Sequence, residues 1–171
     1  VFTLLTLLAM VWTALAGDGT TITVPVMRLS FAAGGFQKVY GLVVCFMWFV
    51  SALLSPQYFH GHHHLKRYYF FFLICQGFTA GVFLSADLYT TFLFFELMSL
   101  SSYVWVVQEE TEKAMDAGKT YLTIAVLGGL VTLIGLFLLY NATGTLVIAE
   151  LHDAVAAMER SRLWAAALCI L

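Results

Sequence analysis

The sequence predicts an all-α, polytopic transmembrane helix bundle, and three observations carry that reading. Hydrophobic residues make up 61% of the 171 residues and charged residues only 11%, whereas a soluble domain carries about a quarter charged residues to cover its core. Apolar runs recur at lengths close to the roughly 20 helical residues that cross a hydrocarbon core. Short polar segments holding Gly, Pro and most of the charges separate these runs. In hydrocarbon every backbone amide must be satisfied within the protein, so the runs are expected to be helices rather than open sheet. The bilayer is therefore the first partner, and a net charge of −2 gives no reason to expect nucleic acid.

Five to six membrane helices follow in order. Residues 1–16 form the first, with neither the charged segment nor the cleavage site of a signal peptide. Gly17-Asp18-Gly19 stops it, and residues 20–26, β-branched and including Pro25, are expected as an extended loop. A second span covers residues 39–54 and closes at Ser55-Pro56, because proline cannot continue a helix. The third (68–85) and fourth (88–107) are nearly contiguous and must form a tight antiparallel hairpin. Asp87 is placed to cap the fourth by accepting from amides of its first turn. The fifth runs from 121 to 140 and ends at Asn141-Ala142-Thr143-Gly144. Residues 146–158 mix apolar positions with Glu150, His152 and Asp153 and are expected as a short helix on the surface. The sixth span begins near Leu163. Both termini fall within apolar runs, so the chain reads as an N-terminal fragment. It divides into N-terminal helices and loops over 1–67 and the start of a second, truncated domain over 68–171.

Alternating loops place Arg28, Lys38, Arg160 and Arg162 on one side and Lys66, Arg67, Lys113 and Lys119 on the other. The positive-inside rule counts these residues and gives a tie. Clustering beside short loops, with the histidines of His60-Gly61-His62-His63-His64, tips the second side toward the cytoplasm.

Glu96 is the residue that points to chemistry. It sits near the middle of the fourth span, where a carboxylate costs a few kcal/mol or more, and intramembrane ionisable groups are functional candidates by default. At about 100° per residue, Tyr89, Glu96, Ser99 and Tyr103 fall on one helical face. That polar stripe should turn into the bundle or toward a partner subunit. Desolvation and a neighbouring cation act on such a carboxylate in opposite senses, so a partner that moves can switch its protonation state. Glu96 is thus the expected proton relay. Lys119, where the fifth span begins, is a candidate for feeding protons toward it, against the simpler role of a lysine snorkelling to the interface. The charged stretch 108–119 otherwise reads as a solvated connector. Gly128, Thr132 and Gly135 are small residues that let helices approach closely in lipid.

No cofactor or metal site is expected. Cys45, Cys75 and Cys169 lie within apolar runs and form no Cys-x-x-Cys pair. The histidine run fits a His-x-x-His-His box of membrane di-iron desaturases, but five histidines in all cannot supply the several boxes such a centre requires. A His-box metalloenzyme is therefore the weaker alternative, as is a purely scaffolding bundle in which Glu96 makes one interhelical hydrogen bond.

The stretch from Ala86-Asp87-Leu88-Tyr89 through Phe95-Glu96-Leu97-Met98-Ser99 to Ser102-Tyr103-Val104 resembles a known family. The match continues in Lys119-Thr120-Tyr121-Leu122 and in Tyr140-Asn141-Ala142-Thr143-Gly144-Thr145. The family comprises the antiporter-like membrane subunits of complex I (NADH-quinone oxidoreductase), membrane-bound hydrogenases and multisubunit Na+/H+ (Mrp) antiporters. The resemblance implies the first part of a fold of about fourteen helices with inverted repeats. It also implies a non-redox subunit that moves H+ or Na+ beside other membrane subunits, in a bacterial or archaeal plasma membrane. Glu96 would correspond to the family's glutamate, whose partner lysine lies on a broken helix beyond the fifth span. The resemblance places the connectors around 17–38 and 141–162 outside and the histidine loop inside.

Overall fold

A computed structural model describes residues 2–15, 21–25, 27–59, 64–156 and 160–170. Among them run α1 (Phe2–Leu15), β1 (Thr21–Val24), β2 (Leu29–Ala32), α2 (Gly35–Tyr58), α3 (Leu65–Leu84), α4 (Leu88–Val106), α5 (Glu112–Thr143), α6 (Ile148–Ala156) and α7 (Arg160–Ile170). Helix α1 packs on α2, α2 on α3, α3 on α4, α4 on α5, and α5 on α7. Among the described residues α2, α3 and α5 are long and apolar enough to cross a membrane. Helix α4 has 19 residues, and its hydroxyls and Glu96 make it the polar member of the set.

The membrane bundle stands as expected, with three corrections to its elements. First, residues 21–24 are not a loop strand alone but half of an antiparallel hairpin, Thr21 pairing with Ala32 and Val24 with Leu29. The β-branched run Thr21-Ile22-Thr23-Val24 suits a pleated strand. Pro25 then opens the turn, in which Arg28 adopts φ 53°. Second, α2 is longer than its apolar core at both ends. Gln37 Oε1 accepts from the Gly34 amide at 3.1 Å, half of a capping box, so Lys38 belongs to the helix and is only 6% exposed. At the other end the helix runs through Pro56 to Tyr58. Proline leaves the carbonyl four residues back without its amide donor. The Ser55 hydroxyl donates to that carbonyl, Ala52 O, at 3.2 Å and also meets the Tyr69 hydroxyl at 3.0 Å.

The third correction is to the charged stretch 108–119. Helix α5 begins at Glu112, where Thr111 Oγ1 caps it by accepting from Ala114 N at 3.2 Å. The charges suggest a loop, but Glu112, Lys113, Ala114 and Met115 are good helix formers behind a threonine cap. Its 32 residues span about 48 Å at 1.5 Å per residue, well beyond a hydrocarbon core of about 30 Å. The first turns of α5 therefore stand clear of that core.

The α3–α4 hairpin is as tight as expected. The ring of Phe94 occupies the space a Cβ at Gly81 would need, so the two backbones approach closely. Asp87 caps α4: Oδ1 accepts from Thr90 N at 2.7 Å and Oδ2 from Thr90 Oγ1 at 2.7 Å. Thr90 is fully buried and Asp87 only 7% exposed. At this end three connectors are stitched together. The Thr90 hydroxyl accepts from Ser30 N at 3.1 Å. Ala86 N donates to Ser30 O at 2.8 Å, and Leu88 N to Leu146 O at 2.9 Å. Gln37 Nε2 donates to Ser85 O at 2.8 Å. The hairpin, the 85–87 turn and the residues leading into α6 thus share one face of the bundle. Arg67 Nη1 meets Glu110 Oε1 at 2.6 Å at the opposite end, which ties the start of α3 to the α4–α5 turn. The two ends are thus opposite, as the alternating loops place them.

Helix α6 is the short helix expected after Thr145. Cys45 and Cys75 are buried and Cys169 half-buried, all as free thiols, in keeping with small apolar fillers. Residues 60–63 of the histidine run lie outside the described residues; His64 is the N-cap of α3.

Two outcomes are expected. Thr90→Val keeps the shape but leaves a buried Asp87 oxygen and the Ser30 amide unpaired, at a cost of about 1–3 kcal/mol, whereas Thr90→Ser keeps both bonds. A lowered thermal midpoint in detergent for the valine variant alone is the check. The Arg67 guanidinium, by hydrogen bond and charge, holds Glu110 below the usual carboxylate range. The pairing therefore stabilises the α4–α5 turn fully above the unfolded carboxylate value of about 4.3. That stabilisation is lost as pH falls through the lowered folded value. Hydrogen exchange of residues 107–111 should accelerate on acidification, and Arg67→Gln should abolish the acid dependence.

Candidate functional site

Glu96 lies near the middle of α4, half-buried, on the side that faces α5. A Cβ added to Gly129 would stand 2.6 Å from Glu96 Cδ and 2.6 Å from each carboxylate oxygen. The carboxylate therefore rests flat on the bare backbone of α5. Among the described residues no side chain or main-chain amide donates a hydrogen bond to it. Beside it opens a cavity of about 430 Å³ in which Glu96, Ser99, Tyr121 and Thr132 share largely apolar walls with Phe95, Ile124 and Ile170 of α7. Such a volume admits several water molecules, and the lining offers polar partners for them.

The lining of α5 follows helical spacing: Tyr121, Ala125, Gly128 and Thr132 recur at four, three and four residues, all on the cavity. Small residues there create the space that the Glu96 side chain and the cavity occupy. Tyr121 reaches across from α5 to α4. Its hydroxyl donates to Ser99 O at 3.0 Å and lies 2.6 Å from Ser102 Oγ.

The stripe of α4 faces α5 along its length, as its spacing predicts. Tyr89 borders an apolar cavity of about 440 Å³ with Leu133, Phe137 and Tyr140. Glu96 and Ser99 line the cavity described above, and the Tyr103 ring abuts Gly118. Lys119 is elsewhere. Its Nζ pairs with Asp116 Oδ1 at 2.9 Å, and both side chains are more than 70% exposed. Ten residues of helix, about 15 Å, separate Lys119 from Gly129, so the structure does not bring Lys119 against Glu96. Tyr121 stands between them along α5.

Gly129 and Tyr121 are the residues that sequence reasoning misses. The signal is present in the small face of α5, but nothing in one helix alone matches that face to the stripe on α4. Of the three small residues assigned to packing, Gly135 does pack: its added Cβ would come 2.8 Å from Cys169 Cβ on α7. Gly128 and Thr132 line the cavity instead, and an added Cβ at Gly128 would meet nothing within 4 Å.

A profile of the family described as NADH:quinone oxidoreductase/Mrp antiporter, TM matches residues 85–171, which include both cavity-forming helices. The chain is similar to a Na(+)/H(+) antiporter subunit of Alkalihalophilus pseudofirmus, 33% identical over 47% of this chain and 16% of that protein. It is also similar to an NADH-quinone oxidoreductase subunit of Deinococcus radiodurans, 35% identical over 44% of this chain and 15% of the relative. In fold it resembles a chain of the membrane-bound sulfane sulfur reductase, an archaeal respiratory membrane complex. That likeness has a TM-score of 0.85 and 24% identity, covering 98% of this chain and 36% of the other. The chain thus spans a small part of the length of the proteins it matches.

Gly129→Ala puts a methyl group where the Glu96 carboxylate lies, so the acid must turn away. The infrared carboxyl band of Glu96, identified by its loss in Glu96→Gln, should shift in Gly129→Ala. It should stay in place in Gly128→Ala, whose Cβ meets open space.

Proposed function

Because the chain belongs to the NADH:quinone oxidoreductase/Mrp antiporter membrane family, we propose that it moves protons or sodium ions across a membrane, with Glu96 as the group that gains and loses the proton. The observation that supports this reading most is the Glu96 carboxylate against Gly129, unbonded among the described residues and open to a cavity whose largely apolar walls also carry Ser99, Tyr121 and Thr132. A carboxylate with a purely structural role in an apolar helix would be expected to hold a hydrogen bond to a neighbouring helix, because an unpaired buried polar group is costly. One that must change protonation state is better served by water and a movable counter-charge. The subunit carries no redox chemistry in this reading, and other membrane subunits supply the driving reaction.

Sidedness follows the same reading. The end bearing Arg67, Lys113 and Lys119 faces the cytoplasm, and the end bearing the β-hairpin and α6 faces outward, by the weighting of positive charge near short loops. Lys119 and Asp116 then mark the surface where protons are collected, within two helical turns of Tyr121 and the cavity. The activity is that of a longer protein within a complex, to which this chain contributes the first carboxylate of the path.

Glu96→Gln tests the proposal. The amide keeps shape and polarity but cannot titrate. In the assembled complex in proteoliposomes, H+ or Na+ flux should fall at least about 10-fold, equivalent to roughly 1.4 kcal/mol in a barrier. Glu96→Asp should retain part of the flux. An assembled Glu96→Gln complex with undiminished flux overturns the assignment.

A further inference from the structure

The cavity around Glu96 does not end at the carboxylate. Toward the charged α4–α5 turn it is bounded by hydroxyls rather than by hydrocarbon. Tyr121 lines it from α5 and Ser99 from α4. The Tyr121 hydroxyl lies 2.6 Å from Ser102 Oγ and 3.4 Å from Ser99 Oγ. Ser102 stands six residues past Glu96, about 9 Å along the helix axis. Beyond it the packing closes: the Tyr103 ring and Val107 both press on Gly118. Tyr121, hydrogen-bonded to α4 at Ser99, therefore lies along α5 between the cavity and the charged end of the helix pair.

We propose that Tyr121, with Ser102, is the relay through which Glu96 exchanges its proton with the end of the bundle that carries Lys119 and Asp116. This rests on the reading of Glu96 as the protonatable group. The chemistry is balanced and needs no further reactant. A hydroxyl both donates and accepts. At rest Tyr121 donates to Ser99 O at 3.0 Å and Ser102 Oγ donates to the same carbonyl at 2.8 Å. For each proton passed, the Ser102 hydroxyl turns from the Ser99 carbonyl to Tyr121, Tyr121 takes that proton as it releases its own toward the cavity, and Ser102 regains one from water at the charged end. The O–H bond that forms replaces the one that breaks, and the residue is unchanged. The Ser99 carbonyl holds both hydroxyls within reach of each other between transfers. A purely structural tyrosine would bridge α4 and α5 equally well from the apolar part of the contact. Here Tyr121 both lines the cavity and sets its hydroxyl on Ser99 and Ser102 of α4.

Tyr121→Phe deletes that oxygen and keeps the ring. In the assembled complex in proteoliposomes, a rapid pH jump is followed by the infrared carboxyl band that Glu96→Gln removes. Tyr121→Phe should slow protonation of Glu96 about 10-fold and lower ion flux in parallel, while Tyr103→Phe leaves both unchanged. Ser102→Ala, which leaves the α4–α5 aromatic packing intact, should slow the same step and serves if Tyr121→Phe fails to assemble. Normal exchange and normal flux in either assembled variant, with Glu96→Gln inactive, overturn the relay and leave the Glu96 assignment standing. Normal flux in Glu96→Gln overturns both.

Discussion

A carboxylate laid on the backbone of Gly129 sets the terms for the rest of this structure. An acid at mid-helix needs room and something polar to face, and hydrocarbon gives neither. Helix α5 provides the room by omission. At Gly129 it has no Cβ, at Gly128 and Ala125 it has little or none, and the face these positions share becomes one wall of a cavity. Helix α4 answers with Ser99 one turn from Glu96. Neither helix makes sense alone: the polar stripe would face lipid without α5, and the small face would be a packing defect without Glu96.

Such a match between two helices is only as good as their register, and the bundle fixes that register at both ends. On one side Asp87 and Thr90 gather the β-hairpin, the α3–α4 turn and the segment before α6 around the first turn of α4. On the other, Arg67 holds Glu110 at 2.6 Å, one residue before the threonine that caps α5. Between these ties the close contact of Gly81 with Phe94 sets the distance from α3 to α4. Apolar interior contacts could slide, but the Tyr121 hydroxyl on Ser99 O adds a polar tie between α4 and α5 themselves. The Asp87–Thr90–Ser30 tie cannot slide without leaving buried donors or acceptors unpaired, which is costly in a low-dielectric setting.

What the sequence discloses, and what it withholds, follows from this division. Asp87 is legible as a cap because capping is a local matter of one side chain and the amides after it. The stripe through Tyr89, Glu96, Ser99 and Tyr103 is legible because one helix defines its own faces. Gly129 and Tyr121 do not stand out, because their meaning lies in what stands across from them. Pro56 misleads because the rule for proline ignores Ser55, whose hydroxyl serves the carbonyl that proline abandons. The start of α5 misleads because its charges resemble a loop while its propensities are helical. Strand β2 is invisible: Leu29-Ser30-Phe31-Ala32 has no strong pattern of its own and takes its conformation from β1 and from the Ala86 amide that Ser30 O accepts.

Two carboxylates on one helix, nine residues apart, show how environment divides labour between acidic groups. Asp87 is almost wholly buried, and each of its oxygens receives a hydrogen bond at 2.7 Å from Thr90. Its surroundings are complete, so nothing is gained by moving it, and it serves as a fixed point. Glu96 is less buried, yet among the described residues it has no donor, only the contact with Gly129 and the cavity beside it. Its surroundings are incomplete by construction, since a donor side chain at 125, 128 or 129 would have completed them and α5 carries Ala or Gly at each. On the proposed reading, that lack of a fixed donor is what lets Glu96 respond to a proton or a cation. The rigid ends of the bundle are what allow that one group at its centre to stay unsatisfied.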